Sequence, residues 1–418
     1  MAFQKPTGTQ DIFSPEIEKW QVMEDKAREL CRKYRYREIR TPIFEHTALF
    51  QRGVGEATDI VEKEMYTFKD RGNRDISLRP EGTAGVVRAY LENKMYGDPE
   101  ICKLYYIGPM FRYERPQAGR YRQLHQFGVE AFGSDDPALD AELIALGLSF
   151  YRELGLTGVR AEINSIGTPA CREVHREKLR EFFAPVKEKL CADCQSRYDR
   201  NPLRILDCKV DQAYCAGAPT ILEYLDEESR DHFDKVQQYL TDMGIEFAIN
   251  PGLVRGLDYY THTVFEFKAQ GIGAIDTIGG GGRYNGLVSE IGGRDQFGAG
   301  LGIGLERTLL VLAAQGVELP AEPPLDVYLI AMGDEAERVS VRLLYDLRAR
   351  GLRAERDYLR RSVKSRMKAA DRNKARFVAI LGEDELKRGE ITVKKMATGE
   401  QKAIALEQLA QNIFEEEN

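Results

Sequence analysis

The stretch Ile101–Phe132 constrains the fold more than any other part of the chain. Two runs rich in aromatic and β-branched residues flank one polar loop, ERPQAGRYRQ. Strands joined by so short a connection pair antiparallel, because a parallel return needs a crossover, usually a helix. A second hairpin reads out of EMYTFKDRGNRDISLRP, with its turn at Asp70-Arg71-Gly72-Asn73. The sequence has no GxxxxGK(S/T) phosphate loop. These features predict an α+β domain built on a mostly antiparallel sheet that carries helices, rather than a doubly wound fold.

Ser14-Pro15-Glu16 predicts a helix start, with serine as the cap and proline in the first turn. Trp20, Met23, Ala27, Leu30, Cys31 and Tyr34 follow at three- and four-residue spacing, so the helix runs to about Lys33 with one apolar face. YREIRTP, Tyr36–Pro42, reads as a strand ended by proline. Pro137–Leu154 is an amphipathic helix. From 168 to 242 helical charge patterns replace strand texture, which predicts a helical insertion within a first domain of residues 1–320. ELPAEPP, Glu318–Pro324, is a linker by its prolines. Residues 325–418 then alternate strand-like and helical runs, as a small α/β domain does.

Composition excludes some classes. No apolar run approaches the roughly 18 residues that suggest a membrane span. MAFQKPTGTQDIF lacks the basic-then-apolar pattern of a signal peptide, so a cytoplasmic protein with no membrane partner is expected. Seven cysteines, an odd number in a long chain, fit a reducing compartment better than a disulfide framework. A net charge of −7 argues against a protein that coats nucleic acid indiscriminately. Yet Arg348–Arg376 holds twelve Lys or Arg against three Asp or Glu. That run is either a solvated helix face or a surface for a polyanion.

Four stretches hold residues suited to chemistry. In FRYERPQAGRYRQLHQFGVE, Arg112, Arg115, Arg120 and Arg122 lie on or beside one loop, and guanidinium groups grip phosphate with forked hydrogen bonds. Strand alternation puts Arg112 with Glu114, and Gln126 with Glu130, on common faces. RPEGTAG offers Glu81 and Thr83 around a glycine that permits close approach. GGGGRYNGL forces backbone close to something, either a ligand or a neighbouring strand, before Arg283 and Tyr284. In GLGIGLERTLL, Gly300, Gly302 and Gly304 clear one strand face as a floor for a planar group, and Arg307 follows at a helix start. LVRGLDYYTHTVFEF adds Arg255 beside Tyr259 and Tyr260. Together they describe a nucleotide site in which arginines replace the phosphate loop.

These stretches resemble the motifs of the class II aminoacyl-tRNA synthetases. The first helix with YREIRTP is similar to motif 1, FRYERPQAGRYRQLHQFGVE to motif 2, and GLGIGLERTLL to motif 3. LVRGLDYYTHTVFEF and GGGGRYNGL are similar to the two motifs particular to the histidyl-tRNA synthetase family, and the likeness spans essentially the whole chain. The resemblance implies a catalytic domain at 1–320 and an anticodon-binding domain at 325–418. It implies ATP-dependent conversion of L-histidine to histidyl-adenylate, with Mg²⁺, and transfer to the 3′ end of tRNA(His). Arg112 would hold the α-phosphate of ATP, and Glu114 would contact adenine. Arg120 and Arg307 would manage the outer phosphates and the adenine stack. Glu81, Thr83, Gln126 and Glu130 would bind histidine, in a pocket lined by Tyr259, Tyr260 and Tyr284. Arg255 would be the fixed cation beside the reacting phosphate and would contact the histidine as well. Motif 1 implies a homodimer. A second reading is a non-catalytic regulatory subunit of ATP phosphoribosyltransferase, which shares the catalytic fold but lacks the terminal domain.

The cysteines stand apart from this. Cys191 and Cys194 form a CxxC pair, and Cys208 and Cys215 follow. Four thiolates at that spacing can close a tetrahedral zinc site, and the same spacing also fits buried or surface thiols without metal.

Overall fold

The computed structural model describes residues 3–415 apart from 56, 57, 59, 207, 209, 271–275, 321 and 322. The chain forms two compact units, Met1–Leu319 and Pro320–Asn418. No helix among the described residues is long and apolar enough to cross a membrane.

The first unit is organised by an eight-stranded sheet. Its spatial order is Arg37–Glu38, Cys102–Phe111, Gln123–Phe132, Gly298–Gly304, Thr277–Arg283, Thr261–Lys268, Arg160–Ser165 and Phe247–Ile249. The six interior strands pair antiparallel throughout, and only the two short edge strands pair parallel. The 101–132 hairpin is the long ladder expected, ten residues on each side. The 64–80 hairpin forms as Thr67–Lys69 and Asp75–Leu78, in a separate three-stranded sheet with Phe44–His46.

Alternation along these strands sends two kinds of side chain to opposite faces. Phe127, Val129, Ala131, Ala299, Leu301 and Ile303 join the main core. Against that face pack Trp20, Met23, Ala27 and Leu30 of the helix Ile17–Lys33, and Leu143, Ile144 and Phe150 of the helix Pro137–Glu153. The other face carries Gln126, Gly128, Glu130, Gly300, Gly302 and Gly304 at its centre, while Leu104, Tyr106, Met110, Phe132 and Val264 of the same face pack into a second, smaller core.

Three sequence expectations need correction here. The first helix begins at Ile17 with Glu16 at its cap position and no side-chain cap, so Ser14 does not serve as one. Of Tyr36–Pro42 only Arg37–Glu38 is strand, because this edge has a partner on one side alone. Within 168–242, the last helix, Glu227–Asp242, lays Phe233, Val236 and Leu240 into the main core. The excursion proper therefore runs from the helix Pro169–Phe183 through a short helix and 3₁₀ turns to Tyr224.

The second unit has a five-stranded sheet in the order Ala354–Arg356, Val327–Ala331, Phe377–Leu381, Glu390–Lys395, Gln401–Ala405. Its first three strands are parallel and its last two are antiparallel. Helices cover both faces, so Val327 and Leu329 enter one core while Tyr328 and Ile330 enter another.

Candidate active site

A cleft of about 560 Å³ opens over the glycine-bearing face of the large sheet, within the roughly 300–1,000 Å³ usual for small-molecule sites. Its floor is a row of glycines. Gly302 and Gly280 line it opposite one another on neighbouring strands, with Glu266 next in the row, while Gly128 on the other side of Gly302 lies beneath the Tyr106 ring. A β-carbon at Gly302 would meet nothing within 4 Å, so the centre of the floor is open. At Gly280 it would stand 2.8 Å from Nη1 of Arg255, and at Gly300 2.1 Å from Oε2 of Glu130. The glycines of the two runs therefore do three jobs: Gly302 leaves space, Gly280 admits Arg255, and Gly300 admits Glu130.

Behind one end of the floor lies a buried polar cluster. Glu130 is 1% exposed and accepts the Thr83 hydroxyl at 2.7 Å and the Tyr106 hydroxyl at 3.4 Å on Oε1. The Tyr284 hydroxyl donates to Oε2. Glu81 accepts the backbone amides of Thr83 at 2.6 Å and Ala84 at 2.9 Å, and so caps the helix Thr83–Glu92. The Tyr259 ring lies 4.8 Å from that of Tyr260 and 5.6 Å from that of Tyr284. Burial, with Glu81 nearby, pushes the Glu130 carboxyl up to about 8 against the pull of its three hydroxyl donors. Burial also raises Glu81, although its amide donors and Arg112 favour the charged form.

The other end is cationic and wetter. Arg112 donates from Nε to the carbonyl of Pro80 at 2.8 Å, and its Nη1 lies 4.0 Å from Glu114. Arg120 reaches Glu114 at 3.5 Å. Arg307 donates to the carbonyl of Thr277 at 2.8 Å. Burial, and after it the like charge of Arg120, holds the Arg307 guanidinium below its ordinary value. Between the two ends sits Arg255. Its Nη1 donates to Glu266 at 2.7 Å, its guanidinium lies 5.6 Å from the Tyr260 ring centre, and its buried Nε has no partner among the described residues. Glu266 is fixed in turn by Thr277 at 2.9 Å and Lys268 at 3.0 Å.

The predicted residues thus fall into two groups. Arg112, Glu114, Arg120, Gln126, Arg255 and Arg307 line the cleft. Glu81, Thr83, Glu130, Tyr259, Tyr260 and Tyr284 are buried behind it. Arg112 and Glu114 lie beyond the strand, which ends at Phe111, although one further rung joins Arg112 N to the Arg122 carbonyl at 2.9 Å. Their shared surroundings come from the loop, not from strand alternation. Sequence reasoning missed Tyr106 and Glu266. Glu266 carried a signal, a lone carboxylate inside the apolar run TVFEF. Arg283 belongs elsewhere: wholly buried, it binds Asp140 of the Pro137–Glu153 helix and the carbonyls of Ser134 and Asp136. His125 and His262 are structural. His125 Nδ1 lies 2.9 Å from Glu306, and burial, aided by the neighbouring His232, depresses His262 to about 4.

The four-cysteine arrangement needs correction. Cys191, Cys194 and Cys208 come together, and the side chain that joins them is Asp211, not Cys215. Cys215 turns away, its Sγ facing the carbonyls of Ile205 at 3.5 Å and Asp211 at 3.7 Å. The basic run of the second unit is also less basic than it reads. Arg348, Arg353, Arg356, Arg361, Arg366 and Arg376 pair with Glu355, Asp326, Glu337, Asp357, Glu337 and Asp326. Arg350, Arg360, Lys364, Lys368, Arg372 and Lys374 stay exposed.

Known proteins resemble this chain over nearly its whole length. The family model described as Histidyl-tRNA synthetase matches residues 8–308, and the one described as Anticodon binding domain matches 326–416. The histidine–tRNA ligase of Bacillus cytotoxicus is 57% identical over 420 residues, 99% of either chain. That of Anoxybacillus flavithermus is 57% identical over 411 residues, 97% of either chain. Among solved structures, the apo histidyl-tRNA synthetase of S. aureus superposes with a TM-score of 0.84 at 46% identity, covering 98% of this chain and 99% of that one.

Proposed function

Because the chain belongs to the histidyl-tRNA synthetase family, we propose that the two ends of its cleft divide one ligation between them. The chain is a class II aminoacyl-tRNA synthetase that activates histidine and charges tRNA. Full-length likeness to histidine–tRNA ligases does not favour the regulatory-subunit reading.

The observation that carries the division is the position of Arg255, between the buried carboxylates and the arginine end, with its Nε unspent among the described residues. In the proposed complex ATP lies over Gly302. Glu114 contacts the adenine, Arg307 stacks on it, Arg112 holds the α-phosphate, and Arg120 meets the outer phosphates with Mg²⁺. Histidine binds against Gln126 with its side chain among Glu81, Thr83, Glu130 and the three tyrosines. Its arrival exchanges hydroxyl–carboxylate bonds inside the cluster for bonds to the imidazole. The histidine carboxylate then attacks the α-phosphorus in line, an oxygen–phosphorus bond forms, and pyrophosphate leaves with the electron pair of the bond that breaks. Negative charge builds on the α-phosphate oxygens in that transition state, where a cation already fixed by Glu266 stabilises it without reorganising. A side chain lacking imidazole nitrogens leaves buried polar groups unpaired, and this is the basis of selection.

Amino-acid-dependent ATP–pyrophosphate exchange, run separately with each of the twenty amino acids, tests the pocket. Exchange with histidine alone is expected. Exchange with another amino acid overturns the assignment of the buried cluster.

The second unit is the proposed reader of the tRNA(His) anticodon, with Arg360, Lys364, Lys368 and Arg372 as phosphate contacts. Lys364→Ala with Lys368→Ala is expected to weaken tRNA charging and lessen its salt dependence while leaving exchange intact. We also infer a homodimer in the cytoplasm. Ile43, Phe44 and Phe68 are 45%, 58% and 48% exposed around the three-stranded sheet, an apolar surface suited to a second copy. Sedimentation velocity checks it, with Phe44→Asp expected to give monomer.

A further inference from the structure

The excursion between the helix Pro169–Phe183 and the helix Glu227–Asp242 has little to hold it together. Residues 184–224 form one nine-residue helix, Ala192–Arg200, and four 3₁₀ turns among the described residues. Its local core has six buried residues, and two of these, Cys194 and Cys208, are cysteines. A module this small lacks the apolar area to fix its own loops, and such modules commonly use a metal or disulfides. All seven cysteines of the chain are free thiols.

At the centre of the module, one ligand atom from each of Cys191, Cys194, Cys208 and Asp211 lies within 4.8 Å of all the others. The Cys191 and Cys208 sulfurs are 3.9 Å apart, and the Cys208 sulfur is 3.8 Å from Asp211 Oδ2. Tetrahedral zinc with sulfur at about 2.3 Å sets two sulfurs about 3.8 Å apart. Four ligand atoms in so small a volume surround one ion and leave no room for a polynuclear cluster. Asp211 is 3% exposed, and no Lys, Arg or His among the described residues forms an ion pair with it. A buried carboxylate is costly without a compensating positive charge. The Cys191 amide donates to its two oxygens at 3.2 and 3.0 Å, which turns the carboxylate toward the sulfurs. Thiolates with one carboxylate in tetrahedral array select Zn²⁺ over the oxygen-seeking Mg²⁺ and Ca²⁺.

We propose that Cys191, Cys194, Cys208 and Asp211 bind one structural Zn²⁺, with Cys215 outside the site. Binding replaces the three thiol S–H bonds by Zn–S bonds and releases three protons to solvent, with no change of oxidation state. The ion closes the loop Cys191–Asp211 and so fixes the intervening Arg200–Leu206 segment. That segment reaches the catalytic unit: Arg204 donates to the carbonyl of Gly256 at 3.1 Å, and Arg200 pairs with Glu62 at 3.0 Å. The metal thereby steadies the backbone next to Arg255 without entering the cleft.

The test is metal content of the untagged full-length protein after dialysis against metal-free buffer, then after reconstitution with Zn²⁺ or Co²⁺. One zinc per chain is expected, with the visible absorption of tetrahedral Co²⁺–thiolate in the cobalt form. Cys194→Ser and Asp211→Asn are expected to lose at least tenfold in affinity, and Cys215→Ser is expected to keep one zinc at unchanged affinity. Asp211→Cys guards against a variant that fails to fold: it is expected to retain zinc with a shifted Co²⁺ spectrum. Zinc removal by a chelator is expected to expose 184–224 to protease before the rest of the chain. A wild-type chain that takes up no zinc or cobalt overturns the proposal. So does loss of metal from Cys215→Ser with full retention by Asp211→Asn, or titration of Cys191 and Cys208 as a disulfide.

Discussion

At the buried end of the cleft, Glu130 already holds three hydroxyl donors and is 1% exposed. At the arginine end, the Arg120 side chain is 44% exposed and reaches its nearest carboxylate at 3.5 Å. One end is a finished hydrogen-bond network, which in the proposed complex histidine would enter by exchange. The other is a set of charges, which in the proposed complex ATP would complete. The first suits selection among similar side chains, because any imperfect partner leaves a desolvated group unpaired. The second suits a triphosphate, whose charge is large and whose position must change as pyrophosphate leaves. Arg255 belongs to neither end, fixed by Glu266 yet with one donor unused among the described residues.

That in-between position makes Arg255 the largest expected effect. Arg255→Ala is expected to lower the exchange rate about 100- to 1000-fold, the range for losing one preorganised donor to a developing charge. The KM values for histidine and ATP should move much less than kcat, and the thermal midpoint should hold. If KM for one substrate rises instead while kcat stands, Arg255 serves that end alone and the division fails.

Glu130→Gln probes the finished network. The histidine KM is expected to rise about 10- to 100-fold, the cost of leaving a buried hydrogen-bonding group without its partner, with the ATP KM unchanged. Stability supplies an independent sign. The folded chain holds the Glu130 proton up to about pH 8, far above the ordinary 4.5, so its contribution is full below 4.5 and is lost as pH rises through 8. Glutamine has no such dependence. The variant's Tm relative to wild type should therefore climb between pH 5 and 8.5, as differential scanning fluorimetry would show. A flat difference would mean that Glu130 is ionised across that range.

Much of this was legible in the residues. The long hairpin, the sheet's pairing direction and the identity of the cleft-lining arginines all follow from local pattern, because turn chemistry and alternation are properties of short segments. What each glycine is for was not legible. Gly300, Gly302 and Gly304 share a face by spacing, but which of them faces Glu130 depends on register with a strand some 170 residues earlier. Asp211 was hidden for a similar reason. Cysteines at a familiar spacing suggest a four-thiol site, whereas the turn that follows Asp211 decides which side chain arrives.

Two substitutions on one strand sharpen the comparison by exploiting that register. Gly300→Ala drives a methyl group against Glu130 and the Val129 carbonyl, and is expected to cost about 1–3 kcal/mol of stability as well as histidine binding. Gly302→Ala meets no atom within 4 Å. Its Tm should hold or rise slightly, since alanine restricts the unfolded chain. Yet a methyl on the open floor should raise the ATP KM about tenfold, the value of one misplaced carbon in a close-fitting site. Equal effects on both substrates from either change would show that the floor is shared rather than divided.

The smallest effect should come from Arg120→Ala, and it bears most directly on how the two ends differ. Arg120 is half in solvent, so its attraction for phosphate is screened, and its loss should raise the ATP KM only about two- to five-fold at moderate salt. The dependence on salt carries the information. In the wild type the ATP KM should rise with ionic strength while the histidine KM stays level, because only the arginine end meets its ligand through exposed charge. Arg120→Ala should flatten the ATP slope and leave the histidine slope alone. A histidine KM that follows salt as steeply as the ATP KM would mean that the buried cluster opens to solvent during the cycle, and the contrast between a finished network and an unfinished one would then hold only for the empty cleft.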